Sequence, residues 1–304
     1  MIKITILTPT YNRANCLPKL FESLTRQTNR NFQWLVIDDG SSDNTVDFLK
    51  GLCGEEHGFK FAFYTKSNGG KHTALNYSHP YIKGEWTCIV DSDDYLADNA
   101  VEEIIGAVNK YSNLNKVRVL SFLRGTDSAN PLNKNFPEEP IISNHIDFRV
   151  NGQRGGDCCE VIRTDVLKER KFPEYEGEKF LGEGYLWNYT GFNYDTVYIN
   201  KVIYICEYLE GGLTKSGRAM RIRCPKGGMV NSNSFLMKIP GRRVRTKILH
   251  KEAILFVCYG KFAGLSISQI VKQCNRPWQA LVDYLPGVLL YHFWKCKYGC
   301  GKLG

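Results

Sequence analysis

Residues 2–39 read IKITILTPTYNRANCLPKLFESLTRQTNRNFQWLVIDD, and the changes of period within them decide the fold. IKITILTPT is an apolar run rich in β-branched residues, as a buried strand requires. CLPKLFESLTRQ then places Leu17, Leu20, Phe21 and Leu24 at helical spacing, and FQWLVIDD returns to a strand. The pattern repeats outward. SSDNTVDFLKGL is a helix with Ser42 as its cap and Val46, Leu49 and Leu52 on its apolar face, FKFAFYT a third strand, and GKHTALNYSH a short helix. EWTCIVD is a fourth strand, Asp98 can cap NAVEEIIGAVNKY, and VRVLSFL is a fifth strand. Such alternation implies a Rossmann-like α/β fold, a mainly parallel sheet with helices on both faces.

Ligands of such sheets bind beyond the carboxyl ends of the strands. Four loops lie there: TPTYNR, DDGSSD, SNGGKH and DSDD. In the last, Asp91, Asp93 and Asp94 crowd three like charges that resist desolvation unless a cation compensates them. In the triplet Asp91-Ser92-Asp93, one carboxylate can reach a hard divalent ion while the other accepts hydrogen bonds, and Mg2+ or Mn2+ would arrive with a diphosphate. Taken alone, the same acids also suit a solvated helix N-terminus. Asp38 and Asp39 can accept a ring N–H of a base or a ribose hydroxyl, with Gly40 allowing a tight turn. NGGKHTALN sets Lys71 and His72 at a helix start, suited to phosphate or base contacts, or to a plain surface turn. There is no GxGxxG after the first strand and no GxxxxGK[ST], so neither a dinucleotide fold nor a P-loop is supported.

Taken together and in order, TILTPTYNRANCLPKLFESLTRQTNRNFQWLVIDDGSSDNT, NGGKHTALN and VDSDD closely resemble the nucleotide-diphospho-sugar glycosyltransferases of the GT-A fold, family 2. The resemblance is strong over residues 1–125 and looser to about 210. It implies that Thr8, Pro9, Tyr11, Arg13 and Asp39 hold the nucleotide, with Asn68, Gly70, Lys71 and Ser92 completing the donor site. It places a Mn2+ or Mg2+ ion on Asp91 and Asp93, with Asp93 the direct ligand. It further implies inverting transfer of a sugar, UDP-linked, to a polysaccharide or lipid-linked glycan. The family's catalytic base is commonly a Glu-Asp pair; here FPEYEGEKFLGEGYLWN has Gly184 after Glu183. Glu183 is assigned as the base, with Glu178 and Asp157 as rivals. The incomplete pair keeps open a catalytically silent sugar-nucleotide-binding protein, and the paired acids keep open a nucleotidyltransferase. On this reading residues 1–210 are the catalytic domain, with a nucleotide-binding half (1–125) and an acceptor-side half (126–210), and residues 211–304 are an extension.

Beyond residue 126 the alternation fades into the Pro- and Asn-rich GTDSANPLNKNFPEEP, and VYINKVIYICEYL reads as a strand or hairpin. LEGGLTKSGRAMRIRCPKGG reads as a mobile, glycine-flanked loop whose Lys215, Arg218 and Arg221 would fold over a diphosphate; basic, helix-like segments follow. The chain's net charge of +9 is unevenly spread. From Lys215 onward there are seventeen Lys and Arg against Glu252 and Asp283, while residues 1–214 carry a net −6. With its aromatics, the basic tail suits an anionic membrane surface; a helical cap on the sheet is the plainer reading, and nucleic acid the least supported. The apolar runs are shorter than the roughly 18 residues a span needs, AILFVCYGKFAGL being broken by Lys261 and YLPGVLLYHFW by Pro286. Eleven cysteines without paired CxxC knuckles, and no signal peptide, point to buried thiols in a cytoplasmic protein, peripheral at the inner face of the plasma membrane.

Overall fold

The computed structural model describes residues 2–133, 136–137, 140–206 and 213–298. Among these, nine strands form one sheet: β1 (Ile4–Thr10), β2 (Phe32–Asp38), β3 (Lys60–Thr65), β4 (Trp86–Ile89), β5 (Tyr95–Leu96), β6 (Val117–Gly125), β7 (Ile141–Ser143), β8 (Cys158–Arg163) and β9 (Asp195–Ile205). Their order is β3-β2-β1-β4-β8-β6-β9-β5, with β7 also on β9. The run β3-β2-β1-β4 is parallel throughout, so its four carboxyl ends share one edge. The fifth expected strand, β6, does not adjoin β4. Instead β8 enters between them, antiparallel to both, and β9 lies parallel on the far side of β6.

The helices are α1 (Leu17–Thr25), α2 (Thr45–Gly51), α3 (Lys71–Ser78), α4 (Ala100–Tyr111), α5 (Thr164–Glu169), α6 (Gly184–Asn193), α7 (Leu213–Arg223), α8 (Pro225–Phe235), α9 (Thr246–Phe262), α10 (Ile267–Gln273), α11 (Pro277–Val282) and α12 (Tyr284–Tyr298). A wide-turned helical segment covers Ile146–Asn151. Every residue of β1 and β2 is buried, as expected for strands covered on both faces. Leu17, Leu20 and Leu24 of α1 are buried against them, and Phe21 stacks 5.9 Å from Trp34. The two expected caps are not used. Asn44 precedes α2, and Asn12 accepts the Ser42 N–H at 2.8 Å. Asn99 precedes α4, and Asp98 instead accepts from Arg26 Nε at 3.0 Å.

The chain divides into two compact units that do not follow sequence order. The first comprises Met1–Asn144, Gly155–Lys171 and Asn193–Tyr208 and contains the sheet. The second gathers His145–Arg154, Phe172–Phe192 and Leu209–Gly304. Its core joins Ile146 and Phe192 to residues of the C-terminal helices such as Phe256, Val257 and Trp294. The stretch from Leu213, expected as a mobile loop, is helical through α7 and α8, while residues 207–212 lie outside those described. No described helix is long and apolar enough to cross a membrane.

Candidate active site

The acids expected to hold a ligand lie at the shared carboxyl edge of the parallel strands, each against a named partner. Asp91 follows β4, and its Oδ1 accepts from Lys71 Nζ at the start of α3. Asp93 faces the Arg13 guanidinium across 3.7 Å, from the loop after β1. Loops after three parallel strands thus meet at two ion pairs. The Tyr204 hydroxyl, on β9, donates to Asp94 Oδ2 at 2.8 Å and accepts the Asp91 backbone N–H at 3.0 Å. Arg124 lies 4.1 Å over the Tyr204 ring and donates from Nε to the Cys158 carbonyl at 2.9 Å. The compensating charge demanded by the acidic triplet is therefore supplied, within the chain itself, by Lys71, Arg13 and Arg124.

Those cations set the protonation of the corner. Burial alone would raise the Asp91 carboxyl, but Lys71, Arg124 and Arg13 outweigh it and hold the group below the usual carboxylate range. Asp94 goes the other way. Its burial, reinforced by the charges of Asp91 and Asp93, lifts it to about 6 against the Tyr204 hydrogen bond. Asp91 is thus ready to serve as an anionic acceptor, while Asp94 is the reluctant anion that Tyr204 steadies.

Asp39 is buried and clasps the third loop. Its carboxylate accepts from Lys66 Nζ at 2.7 Å, Asn68 Nδ2 at 3.1 Å and the Gly69 and Gly70 N–H groups at 3.0 and 2.6 Å. Gly40 makes the approach possible: its φ is +77°, and a Cβ there would come 2.9 Å from the Asn68 nitrogen. Thr8 is fully buried and accepts from Trp34 Nε1 at 3.1 Å, Pro9 is buried beside it in β1, and Ser92 is buried in the acidic loop. Tyr11, by contrast, is 45% exposed. Thr10, the last residue of β1, keeps a buried hydroxyl without a hydrogen-bond partner at this edge.

Sequence reasoning passed over Lys66, Arg124 and Tyr204. Lys66 carried a weak signal, a lone cation between a strand and two glycines; Tyr204 and Arg124 sit inside apolar strand patterns and carried none. The other acids belong to different places. Glu183 immediately precedes α6, its carbonyl accepting the Leu186 and Trp187 N–H groups at 2.8 and 3.1 Å. At the position of the family's second acid, a side chain would ask the Asn231 amide to give by a few tenths of an ångström. A Cβ at Gly184 would lie 3.0 Å from Asn231 Oδ1. Glu178 caps α8, accepting the Lys226 and Gly227 N–H groups at 3.0 and 2.8 Å, and Asp157 is exposed. Lys215's side chain lies outside the described residues, and Arg218 is placed 5.3 Å over the Trp294 ring from helix α7.

No group of three or more His, Cys, Asp or Glu side chains suited to a metal occurs among the described residues. Asp91 and Asp93 offer oxygen alone, a donor set that fits a hard divalent ion completing its shell with diphosphate oxygens and water.

A profile of glycosyl transferase family 2 matches residues 5–168, more than half of the chain. The chain is 34% identical over 110 residues to an uncharacterized glycosyltransferase of Rickettsia typhi, covering 36% of this chain and 33% of that protein. It is 30% identical over 109 residues to the glycosyltransferase GlyA of Streptococcus pneumoniae serotype 4, covering 36% and 15%. The match thus spans about a third or less of these curated relatives. Among solved structures, residues 1–349 of Staphylococcus aureus TarS in complex with UDP-GlcNAc superpose with a TM-score of 0.67 at 16% identity, over 97% of this chain and 92% of that one. The mannosyltransferase PcManGT of Pyrobaculum calidifontis in complex with GDP-Man and Mn2+ gives 0.57 at 18%, over 97% and 83%. At such identities the likeness is one of fold, and its coverage takes in the C-terminal helices that the motifs left unassigned. The family profile covers more than half of the chain and the solved structures share its fold, so the chain belongs to glycosyl transferase family 2, with the GT-A fold.

Proposed function

We propose that the protein transfers a sugar from a nucleoside-diphosphate-sugar, UDP-linked, to a polysaccharide or lipid-linked glycan, inverting the anomeric carbon. The observation that carries this is the acidic corner itself. Two carboxylates at the carboxyl edge of a parallel sheet are each matched by a cation, Lys71 at the start of α3 or Arg13 from the loop after β1. Asp93 and Asp91 would hold Mn2+ or Mg2+, which when bound supplies Lewis-acid stabilisation to the departing nucleoside diphosphate. Lys71 and Arg13 then have phosphate oxygens as alternative partners, so the chain's own cations add to the charge stabilisation of the leaving group. The orphaned Thr10 hydroxyl supplies one further polar group at this edge. That fold neighbours were crystallised with UDP-GlcNAc and with GDP-Man and Mn2+ supports a nucleotide-sugar donor and a divalent ion.

Glu183 is proposed as the base that takes the acceptor hydroxyl's proton. Its backbone is fixed at the start of α6, whereas Glu178 is committed to capping α8. The basic C-terminal segment supports a peripheral placement at an anionic membrane, where a lipid-linked acceptor would be found.

Calorimetry tests the donor reading directly. Mn2+ and a UDP-sugar should each tighten the other's binding about tenfold or more, and Asp93→Asn should abolish that coupling. Independent binding of the two would sink the proposal. Glu183→Gln should remove turnover and leave donor binding unchanged; normal turnover would place the base elsewhere. Release of pyrophosphate instead of a nucleoside diphosphate would identify a nucleotidyltransferase.

A further inference from the structure

Helix α12 is apolar on two opposite faces. Toward the helical core it turns Gly287 and Trp294, with Tyr291 and Tyr298 also packed there. Outward it presents Leu285, Leu289 and Phe293, spaced four residues apart and 67%, 62% and 59% exposed. Helix α11, one residue before α12 in the chain, also exposes Trp278 and Val282, 80% and 68%. A helix that is hydrophobic all round is one whose second face is also covered in use, and a contiguous row of large apolar side chains marks a contact surface.

The charges beside this row say what covers it. Glu252 and Asp283 are the sole acids from Lys215 to the end of the chain, and each is only 5% exposed. Asp283 is turned inward to His250 Nδ1 at 2.9 Å and Gln279 Nε2 at 2.6 Å. Among the described side chains of this segment, every exposed charge is therefore positive. On the helical wheel Lys295 and Lys297 flank the Leu285–Leu289–Phe293 row on opposite sides, and Lys272 is exposed on α10 just before α11. A second copy of this chain packed on the same surface would oppose these cations with their own counterparts. An anionic bilayer complements both features, since phosphate headgroups meet the lysines while the apolar row enters the acyl boundary, the lysine stems reaching back to the headgroups.

We infer that the outer face of α11 and α12 is a membrane-docking surface, holding the protein on anionic phospholipid by apolar insertion as well as by charge. The surface stands on exposure and charge alone and needs neither donor nor metal.

Co-sedimentation of the full chain with vesicles of phosphatidylcholine and phosphatidylglycerol tests it, with pure phosphatidylcholine vesicles as the control. The protein should pellet with the anionic vesicles and be retained in part at high salt, because the apolar share of binding is not screened. Leu285→Ser/Leu289→Ser/Phe293→Ser should weaken binding about tenfold or more with an unchanged circular dichroism spectrum. Lys295→Gln/Lys297→Gln should weaken it several-fold at low salt only. Should the serine variant fail to fold, brominated lipid should quench the parent's fluorescence, and Trp278→Phe should remove most of that quenching. Failure of the parent to pellet with anionic vesicles would overturn the inference, as would serine-variant binding equal to the parent's or quenching unaffected by Trp278→Phe. A parent dimer abolished by the serine changes, with vesicle binding intact, would assign the face to a second copy instead. Donor binding is absent from these measurements, so their outcome leaves the transferase proposal to its own test.

Discussion

Tyr204 stands 110 residues beyond Asp94, yet its one hydroxyl ties Asp94 to the Asp91 backbone. Tyr204→Phe should cost about 1–3 kcal/mol, since it leaves a buried N–H and a half-buried carboxyl each short of a partner, and should weaken metal-linked donor binding; urea titration and calorimetry read the two effects. Asp39 was expected to hold the nucleotide; in the structure its buried carboxylate anchors the third loop. Asp39→Asn leaves the partly buried Lys66 ammonium with the Ser67 carbonyl and the Thr73 hydroxyl but without its counter-charge, so a loss of about 1–3 kcal/mol in urea is expected. His79 contributes to the pH dependence, in the same direction as His145, which burial lowers to about 3, and against Asp94, lifted to about 6. Burial, then the charges of Lys171 and Lys168, lower the His79 pKa from 6.5 to about 4. Between those values the unfolded chain binds a proton that the folded chain refuses, so this contribution is full above pH 6.5 and is lost as pH falls toward 4. Urea midpoints at pH 7 and pH 5 should differ, and His79→Gln should reduce the difference. Asp91 and Asp93 could be read because both lie in one short loop; Tyr204 could not, because nothing near it in sequence distinguishes a strand tyrosine that packs from one that holds a distant loop.

Elements built from local periodicity were legible, and those defined by long-range pairing were not. The four parallel strands and their helices follow from alternating period, whereas the entry of β8 between β4 and β6 depends on pairing that no local pattern encodes. Glycine content misled in a particular way. Gly227 and Gly228 suggested a loop, but they lie in α8, where an added Cβ would fall 2.4 Å from the Phe180 carbonyl oxygen and 2.8 Å from the Tyr259 ring. They serve close approach between packed segments instead of a turn. Gly287 does the same for α12, since a Cβ there would lie 2.6 Å from Val257 Cβ on α9. Gly287→Leu should therefore pry these helices apart, costing about 1–3 kcal/mol or more in thermal or urea unfolding. A comparable change at exposed Leu289 should be nearly silent for stability.

Across the whole molecule, the division of charge was legible from composition, and the inward turn of Glu252 and Asp283 leaves only cations among the exposed charges of the described C-terminal side chains. The second compact unit also draws on His145–Arg154 and Phe172–Phe192, short segments whose apolar residues look ordinary until their partners are known. Ile146 and Phe192 find their core neighbours among helices that come later in the chain. That threading bears on how such a protein can diversify. Recombination between homologous genes at the start of the C-terminal segment would bring together halves of one interior that had never been selected to match, so viable chimeras should carry crossovers at several points or replace both inner segments along with the tail.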